Sequence, residues 1–180
     1  MPNVLVPLAQ GCEELEAVTI IDLLRRAEIN VVTAGLDSKP VTASRKTVLI
    51  PDTDLDTALK DDYDMVVLPG GLPGADHLDN DIRIKKLLIK MANSEKFTAA
   101  ICAAPKVLSS AGLLKDKKAT CYPTVLDSNN ETDITGEAVV IDGKVITSRG
   151  PGTAMDFALQ LIELLVGKDK RDEVEEALVR

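Results

Sequence analysis

Residues 99–105 read Ala-Ala-Ile-Cys-Ala-Ala-Pro, an apolar stretch that meets a cysteine between small residues and then continues into a predicted helix. A strand that passes into a helix through small residues is typical of a nucleophile elbow, the sharp turn that exposes a reactive side chain. The start of the following helix offers partial positive charge and free N–H groups, which favour a thiolate at Cys102. A free cysteine is also a common buried hydrophobic residue, so position alone leaves both interpretations of Cys102 open.

The same alternation of short aliphatic strands and helices runs through the rest of the chain. Strands are predicted at 4–8, 30–34, 48–50, 65–68 and 98–101, and helices at 13–27, 81–93, 104–111, 153–166 and 168–179. Residues 139–141 and 145–147 flank an Asp-Gly pair and predict a hairpin. This order predicts an α/β fold with a mostly parallel sheet and helices on both faces, in a single domain over 1–180.

Composition excludes several classes of function. A formal charge of −8 disfavours nucleic-acid binding, and two Tyr, two Phe and no Trp leave little for stacking on bases or sugars. No apolar run approaches the roughly 20 residues of a membrane span, and no signal peptide is evident, so we expect a cytoplasmic protein without membrane contact. Three cysteines without a CxxC pair and one histidine argue against disulfides and against a metal site.

A second junction between strand and helix, at 8–16, supplies an acidic partner for the cysteine. Projected at about 100° per residue, Glu16 falls on the apolar side of the helix predicted at 13–27. A carboxyl group facing the core is costly unless it is protonated or hydrogen-bonded, so we expect Glu16 to keep a proton and donate it to a nearby acceptor. Glu13 projects to the same side and is a candidate lining residue, whereas Glu14 at the flank is expected to be an ordinary helix N-terminal charge.

The third junction, Leu-Pro-Gly-Gly-Leu-Pro-Gly-Ala at 68–75, carries three glycines that allow close approach of the backbone. It lacks the GxGxxG pattern, and no GK[ST] follows, so a nucleotide cofactor is not expected. The N–H groups of Gly70 and Gly71 are candidates to bind an oxyanion beside the thiolate. A plain turn would explain the same glycines.

Four segments together resemble the DJ-1/ThiJ/PfpI superfamily, most closely its DJ-1 branch. They are Gly-Cys-Glu-Glu-Leu-Glu at 11–16, Leu-Pro-Gly-Gly at 68–71, the cysteine segment at 99–105, and Thr-Ser-Arg-Gly-Pro-Gly-Thr at 147–153. The resemblance implies a flavodoxin-like three-layer sandwich, a homodimer, a nucleophilic and readily oxidised Cys102, and a protonated Glu16 that donates to its sulfur. It also implies cofactor-free glyoxalase or deglycase activity toward methylglyoxal and glyoxal, or a redox-sensing or chaperone role.

One departure from the family pattern concerns the imidazole. Several relatives carry a histidine where this chain has Tyr122, so a Cys-His pair cannot come from that segment. His77, the single histidine, follows the glycine-rich junction and is a candidate for the mouth of the site, although a solvated histidine is the commoner case. General-base work would then fall to Glu16 or to water.

Three functional hypotheses follow. In the leading one, the Cys102 thiolate attacks the aldehyde of a 2-oxoaldehyde or glycated substrate, the N–H groups of Gly71 and Ala103 hold the oxygen, and Glu16 shuttles the proton that leads to a 2-hydroxy acid. In the second, Cys102 is oxidised to a sulfinate that binds protonated Glu16 and alters partner binding. An intracellular peptidase is the third and would need the missing imidazole. The first two need the same reactive thiol, so the sequence does not separate them.

Overall fold

A seven-stranded sheet forms the centre of the molecule in the computed structural model, which describes residues 1–126 and 131–180. The strands are β1 (Asn3–Leu8), β2 (Asn30–Gly35), β3 (Val41–Thr42), β4 (Val48–Leu49), β5 (Thr53–Asp54), β6 (Met65–Leu68), β7 (Phe97–Ile101), β8 (Lys117–Ala119), β9 (Thr132–Ile134), β10 (Val139–Asp142) and β11 (Val145–Ser148). The helices are α1 (Glu14–Arg26), α2 (Leu55–Ala58), α3 (Gly74–Asn80), α4 (Ile82–Asn93), α5 (Pro105–Ser110), α6 (Ala154–Val166) and α7 (Lys168–Ala177), with a 3₁₀ turn at Pro151–Thr153.

The central sheet has the strand order β10-β11-β7-β6-β1-β2-β5, and its pairs are parallel except for the β10–β11 hairpin. Residues alternate along each buried strand between two separate cores. In β1, Val4 and Val6 join a core covered by α1, α6 and α7, whereas Leu5 joins a core covered by the helices α2 to α5. The predicted three-layer α/β fold with helices on both faces is confirmed.

The region between β2 and β6 departs from prediction. The segment predicted as a strand at 48–50 forms β4, but β4 pairs with β3 in a separate antiparallel hairpin, and Val48 and Ile50 are exposed. The edge of the central sheet is taken instead by β5, whose two polar residues carry no hydrophobic pattern. The aliphatic residues at 48–50 therefore predicted a strand correctly, but this strand belongs to the small antiparallel hairpin and not to the central sheet. The sequence pattern also gave no indication of α2, α3, β3, β8 or β9.

The sheet order brings three chain junctions to one edge. β7, β6 and β1 are consecutive neighbours in the parallel sheet, so the loops after Ile101, Leu68 and Leu8 leave the same edge side by side. Ligand sites of open α/β sheets lie at this carboxyl edge. Within the described ranges, no helix combines the length and apolar character needed to cross a bilayer.

Candidate active site

Cys102 occupies a tight turn directly after β7, as the sequence predicts. Its φ of +64° lies in the left-handed region, where a residue with a side chain costs about 1–2 kcal/mol. Hydrogen bonds on both sides hold this conformation: the Cys102 N–H donates to the Ser148 carbonyl at 3.0 Å, and its carbonyl accepts from the Tyr122 N–H at 2.8 Å. The elbow is therefore built from β7, the end of β11 and the segment that carries Tyr122.

Glu16 lies next to Cys102 at the start of α1, and its side chain is completely buried. Its Oε2 accepts a hydrogen bond from the Gly70 N–H at 2.8 Å, and its Oε1 accepts none from an N–H or O–H group of the described residues. A Cβ atom on Gly70 would lie 2.7 Å from the Cys102 Cβ and 2.8 Å from Glu16 Oε2. Only glycine fits there, because a side chain would collide with both the carboxyl group and the side chain of the nucleophile.

The glycine-rich segment provides one backbone N–H donor beside the sulfur rather than the two that the sequence predicts. The expectation of a free oxyanion donor at Gly70 is wrong, because its N–H is already bonded to Glu16. The N–H groups of Gly71 and Ala103 do face the Cys102 sulfur and lower the pKa of its thiol by hydrogen bonding. Gly71 has a φ of +89°, and a Cβ atom there would lie 2.4 Å from the Glu13 backbone nitrogen, so this position also requires glycine.

Burial dominates the electrostatics of Glu16. It raises the pKa of the carboxyl group from 4.5 to about 7, against hydrogen bonds from the Gly70 N–H and Cys102 that lower it, and the nearby charge of Glu13 raises it further. The expected retention of a proton by Glu16 agrees with this shift. The unpartnered Oε1 is the oxygen that can carry the proton.

The Cys102 thiol is coupled to that carboxyl group. Burial, the Glu16 charge and the hydrogen bond to Glu16 raise the pKa of the thiol to about 12. The lowered thiol pKa that the helix N-terminus predicts for Cys102 is therefore not found while Glu16 is ionised. Protonation of Glu16 removes the charge repulsion and converts the carboxyl group into a donor, so the two acids together hold one negative charge only above about pH 7, where the first of their protons is lost.

The remaining predicted lining residues take different places. Tyr122 touches the nucleophile through its backbone, while its half-exposed ring packs against Gly150. Glu13 is partly buried; its N–H donates to the Gly70 carbonyl at 2.9 Å, and its carboxylate accepts from the Ser44 hydroxyl. His77 is exposed on α3 and lines a surface pocket, as expected of a solvated histidine.

Sequence reasoning missed the role of Glu14. Its carboxylate accepts hydrogen bonds from the Ser44 hydroxyl and from the N–H groups of Arg45 and Thr47, which ties the loop between β3 and β4 to α1. Desolvation raises the pKa of Glu14, but its own N–H and these donors outweigh it and lower the value to about 2. The expectation of a simple helix charge is incomplete, because the donors come from a loop about thirty residues away.

Sequence reasoning also gave the segment 147–153 no structural task. The carbonyl of Ser148 fixes the nucleophile's N–H, and the Ser148 hydroxyl lies 2.7 Å from that of Thr153. The adjacency of β11 and β7 in a parallel sheet is what brings this segment to the elbow. Across 1–126 and 131–180, no group of three His, Cys, Asp or Glu side chains is arranged to hold a metal ion.

A thiol on a strained elbow, backed by a buried carboxyl group at the carboxyl edge of a parallel sheet, defines a class of cysteine-centred α/β proteins. Residues 2–164 match the model of the DJ-1/PfpI family, and the chain belongs to that family. The fold superposes on the crystal structure of Drosophila melanogaster DJ-1beta with a TM-score of 0.95 and 42% identity, covering 99% of this chain and 97% of the other.

Two curated relatives extend the comparison. Protein DJ-1 homolog B of Arabidopsis thaliana is 47% identical over 171 residues, which are 94% of this chain but only 39% of the plant protein. The glutathione-independent glyoxalase DJR-1.2 of Caenorhabditis elegans is 35% identical over 167 residues, covering 92% of this chain and 89% of the worm protein. This chain thus spans less than half of the plant relative and nearly all of the worm relative.

We expect Cys102 to be the most reactive of the three thiols. Two backbone N–H groups hydrogen-bond its sulfur, against one each at Cys121 and Cys12, and protonation of Glu16 removes the neighbouring charge that raises the pKa of its thiol. Brief iodoacetamide treatment at neutral pH followed by peptide mapping should label Cys102 first. A Cys102→Ser variant should lose the fast phase, and faster labelling of Cys12 or Cys121 in the wild type would refute the assignment.

The buried carboxyl group of Glu16 should make stability depend on pH. The folded state holds this proton up to about pH 7, while the unfolded chain releases it near 4.5, so the unfolding free energy falls as the pH rises between these values. Urea unfolding at about pH 5 and about pH 8 should show a loss of about 2 kcal/mol in the wild type.

Glu16→Gln should flatten this dependence, because the amide does not titrate. The exposed Glu176→Gln variant is the matched control and should keep the wild-type slope. An unchanged slope in Glu16→Gln would show that another group carries the pH dependence.

Proposed function

We propose that this protein is a cofactor-free glyoxalase-type enzyme that converts a small 2-oxoaldehyde and water into a 2-hydroxy acid. The observation that carries the proposal is the unpartnered, fully buried Oε1 of Glu16 beside the elbow cysteine. A carboxyl group in this place can receive and return a proton within the site. The glyoxalase name of the worm relative, at 35% identity, supports the same choice.

The reaction begins from the state with protonated Glu16 and ionised Cys102. The thiolate adds to the aldehyde carbon, a C–S bond forms, and the carbonyl π electrons move to oxygen. The N–H groups of Gly71 and Ala103, which hydrogen-bond the sulfur in the resting protein, can then donate to that oxygen. Glu16 then supplies the proton that converts the oxyanion into a neutral hemithioacetal.

Glu16, now a carboxylate, carries out the isomerisation. It removes the hydrogen on the former aldehyde carbon as a proton, which gives an enediolate. It then returns the proton to the neighbouring carbon while the hydroxyl proton passes from one oxygen to the other, which gives the thioester of a 2-hydroxy acid. Water hydrolyses the thioester and releases the acid and the thiol. The aldehyde carbon is oxidised and the ketone carbon reduced within one molecule, so no external oxidant or reductant is consumed.

The geometry favours small substrates. Cys102 is only 8% exposed, and the backbone of Gly70 and Gly71 packs closely against neighbouring segments of the same chain. A glycated side chain presents the same type of carbonyl carbon but requires a larger opening to the sulfur. Reaction with methylglyoxal is therefore expected to be faster than removal of a sugar-derived adduct from a protein.

Glu16→Gln should separate catalysis from redox sensing. The amide keeps a hydrogen-bond donor but cannot shuttle a proton, so formation of lactate from methylglyoxal, followed by NMR, should fall by about 10²–10⁴. Alkylation of Cys102 should stay within a few-fold of wild type. Full turnover in Glu16→Gln would refute the shuttle and favour a redox role for Cys102, since a sulfinate needs only a donor.

We also propose that the working unit is a homodimer. Four aliphatic side chains, Leu15 and Val18 on α1 and Val48 and Ile50 on and after β4, are each between 46% and 82% exposed. The hydrogen bonds of Glu14 join these two elements, so the apolar residues belong to one region of the surface. Apolar surface grouped in this way is typical of an interface between subunits.

Sedimentation equilibrium should give a mass of about twice 19.3 kDa at micromolar concentration. Val18→Asp places a charge in the apolar region and should shift the protein toward monomer. Ile82→Asp, at a similarly exposed isoleucine on α4, is the matched control and should leave the mass unchanged. A wild-type mass of 19.3 kDa would exclude the dimer.

A further inference from the structure

The strained backbone of Cys102 depends on its two main-chain hydrogen bonds. A φ of +64° is unfavourable for cysteine and persists only where the surroundings fix it. The Ser148 carbonyl holds the N–H side, and the Tyr122 N–H holds the carbonyl side. The first bond continues the ladder between β11 and β7, whereas the second comes from a segment outside the central sheet.

The Tyr122 segment is fastened to the sheet two residues earlier. The Thr120 N–H donates to the hydroxyl Oγ1 of Thr147 at 2.9 Å, and both threonines are completely buried. The Thr120 hydroxyl in turn donates to the Thr135 carbonyl at 3.1 Å. A buried N–H without a partner costs about 1–3 kcal/mol, so the Thr147 hydroxyl strongly favours this placement of the segment.

Thr147 and Ser148 are consecutive residues at the end of β11, opposite Ala100 and Ile101 of β7. Ser148 holds one side of the elbow directly through its carbonyl. Thr147 holds the other side through its hydroxyl, by way of Thr120 and the Tyr122 N–H. The same strand end therefore fixes both peptide groups of the nucleophile.

We propose that Thr147 is a positioning residue for the Cys102 nucleophile, acting through its hydrogen bond to Thr120 and the Tyr122 segment. The inference rests on the proposed function in taking Cys102 as the nucleophile, and it holds for a glyoxalase and for a redox sensor alike. Thr147 acts in this proposal through the backbone rather than on the sulfur. It sets the backbone angle from which the sulfur meets the N–H groups of Gly71 and Ala103.

Removal of the hydroxyl should loosen one side of the elbow. The Thr120 N–H loses its acceptor, the Tyr122 N–H shifts away from the Cys102 carbonyl, and the cysteine relaxes toward a common φ. The sulfur then moves away from the two N–H groups that stabilise its anion. Ionisation of the thiol should consequently require a higher pH.

The test is the pH profile of Cys102 alkylation by iodoacetamide in Thr147→Val, with peptide mapping to isolate Cys102. We expect the midpoint to rise by about one pH unit, which lowers the rate near neutral pH about tenfold. Thr147→Ser, which keeps the hydroxyl, should restore the wild-type profile. Thr147→Ala removes the hydroxyl from a smaller side chain and should repeat the effect of Thr147→Val.

Thr33→Val is the matched control. Thr33 is a buried threonine of β2 whose Oγ1 accepts from the Asp52 N–H at 2.9 Å, so this variant also leaves a backbone N–H without its acceptor. It lies four strands from β11 in the sheet, roughly 19 Å away at strand spacing. Its unfolding temperature should fall comparably, and its alkylation profile should match the wild type.

Two results would overturn the inference. One is a profile in the folded Thr147→Val or Thr147→Ala protein that matches Thr33→Val, and the other is a Thr147→Ser profile as altered as that of Thr147→Val. Failure of the proposed function would be seen in the wild-type protein and not in the Thr147 variants. In that case wild-type Cys102 reacts no faster than Cys12, or reacts fast but forms no lactate from methylglyoxal.

Discussion

The contact between the buried carboxyl group of Glu16 and the Cys102 thiol is the constraint around which this structure is arranged. Two acids in a site closed to solvent cannot both ionise near neutral pH, because each anion raises the pKa of the other. Above about pH 7 we expect the pair to share one negative charge and one proton. Reactivity therefore depends on where that proton resides, which the surrounding N–H groups determine.

The scaffold supplies those groups from three strand ends. Three adjacent parallel strands place the cysteine, the glycine segment and the start of α1 at a common edge. The Gly70 N–H donates to the carboxyl group and the Gly71 N–H donates to the sulfur, so each of the two acids is bonded by one of two consecutive glycines. Side chains at either position would collide with neighbouring atoms of the same chain, and the Glu16 side chain is completely buried in this close packing. Burial thus makes the Glu16 carboxyl group costly to ionise, and for the same reason it lets the group keep a proton that it can donate.

Local patterns predicted much of this arrangement. The small residues around Cys102 and the apolar helix face that contains Glu16 singled out the two residues that the structure places side by side, because each signal is contained within one element. The contacts that escaped prediction join residues distant in sequence. The bond from Gly70 to Glu16, the loop held by Glu14 and the bond from Thr120 to Thr147 arise only once the strands are ordered. The short polar edge strand β5 escaped for a different reason, because two residues carry no periodicity.

Carbon-13 NMR of the Glu16 carboxyl group, followed from acid to mildly alkaline pH, tests the central claim most directly. The chemical shift reports the protonation of this one group in the intact protein, with Glu16→Gln used to assign the signal. A buried carboxyl group that shares one charge with Cys102 should titrate with a midpoint of about 7. A midpoint near the ordinary value of 4.5 would contradict the account, because Glu16 would then be a fixed anion and could not serve as the proton donor.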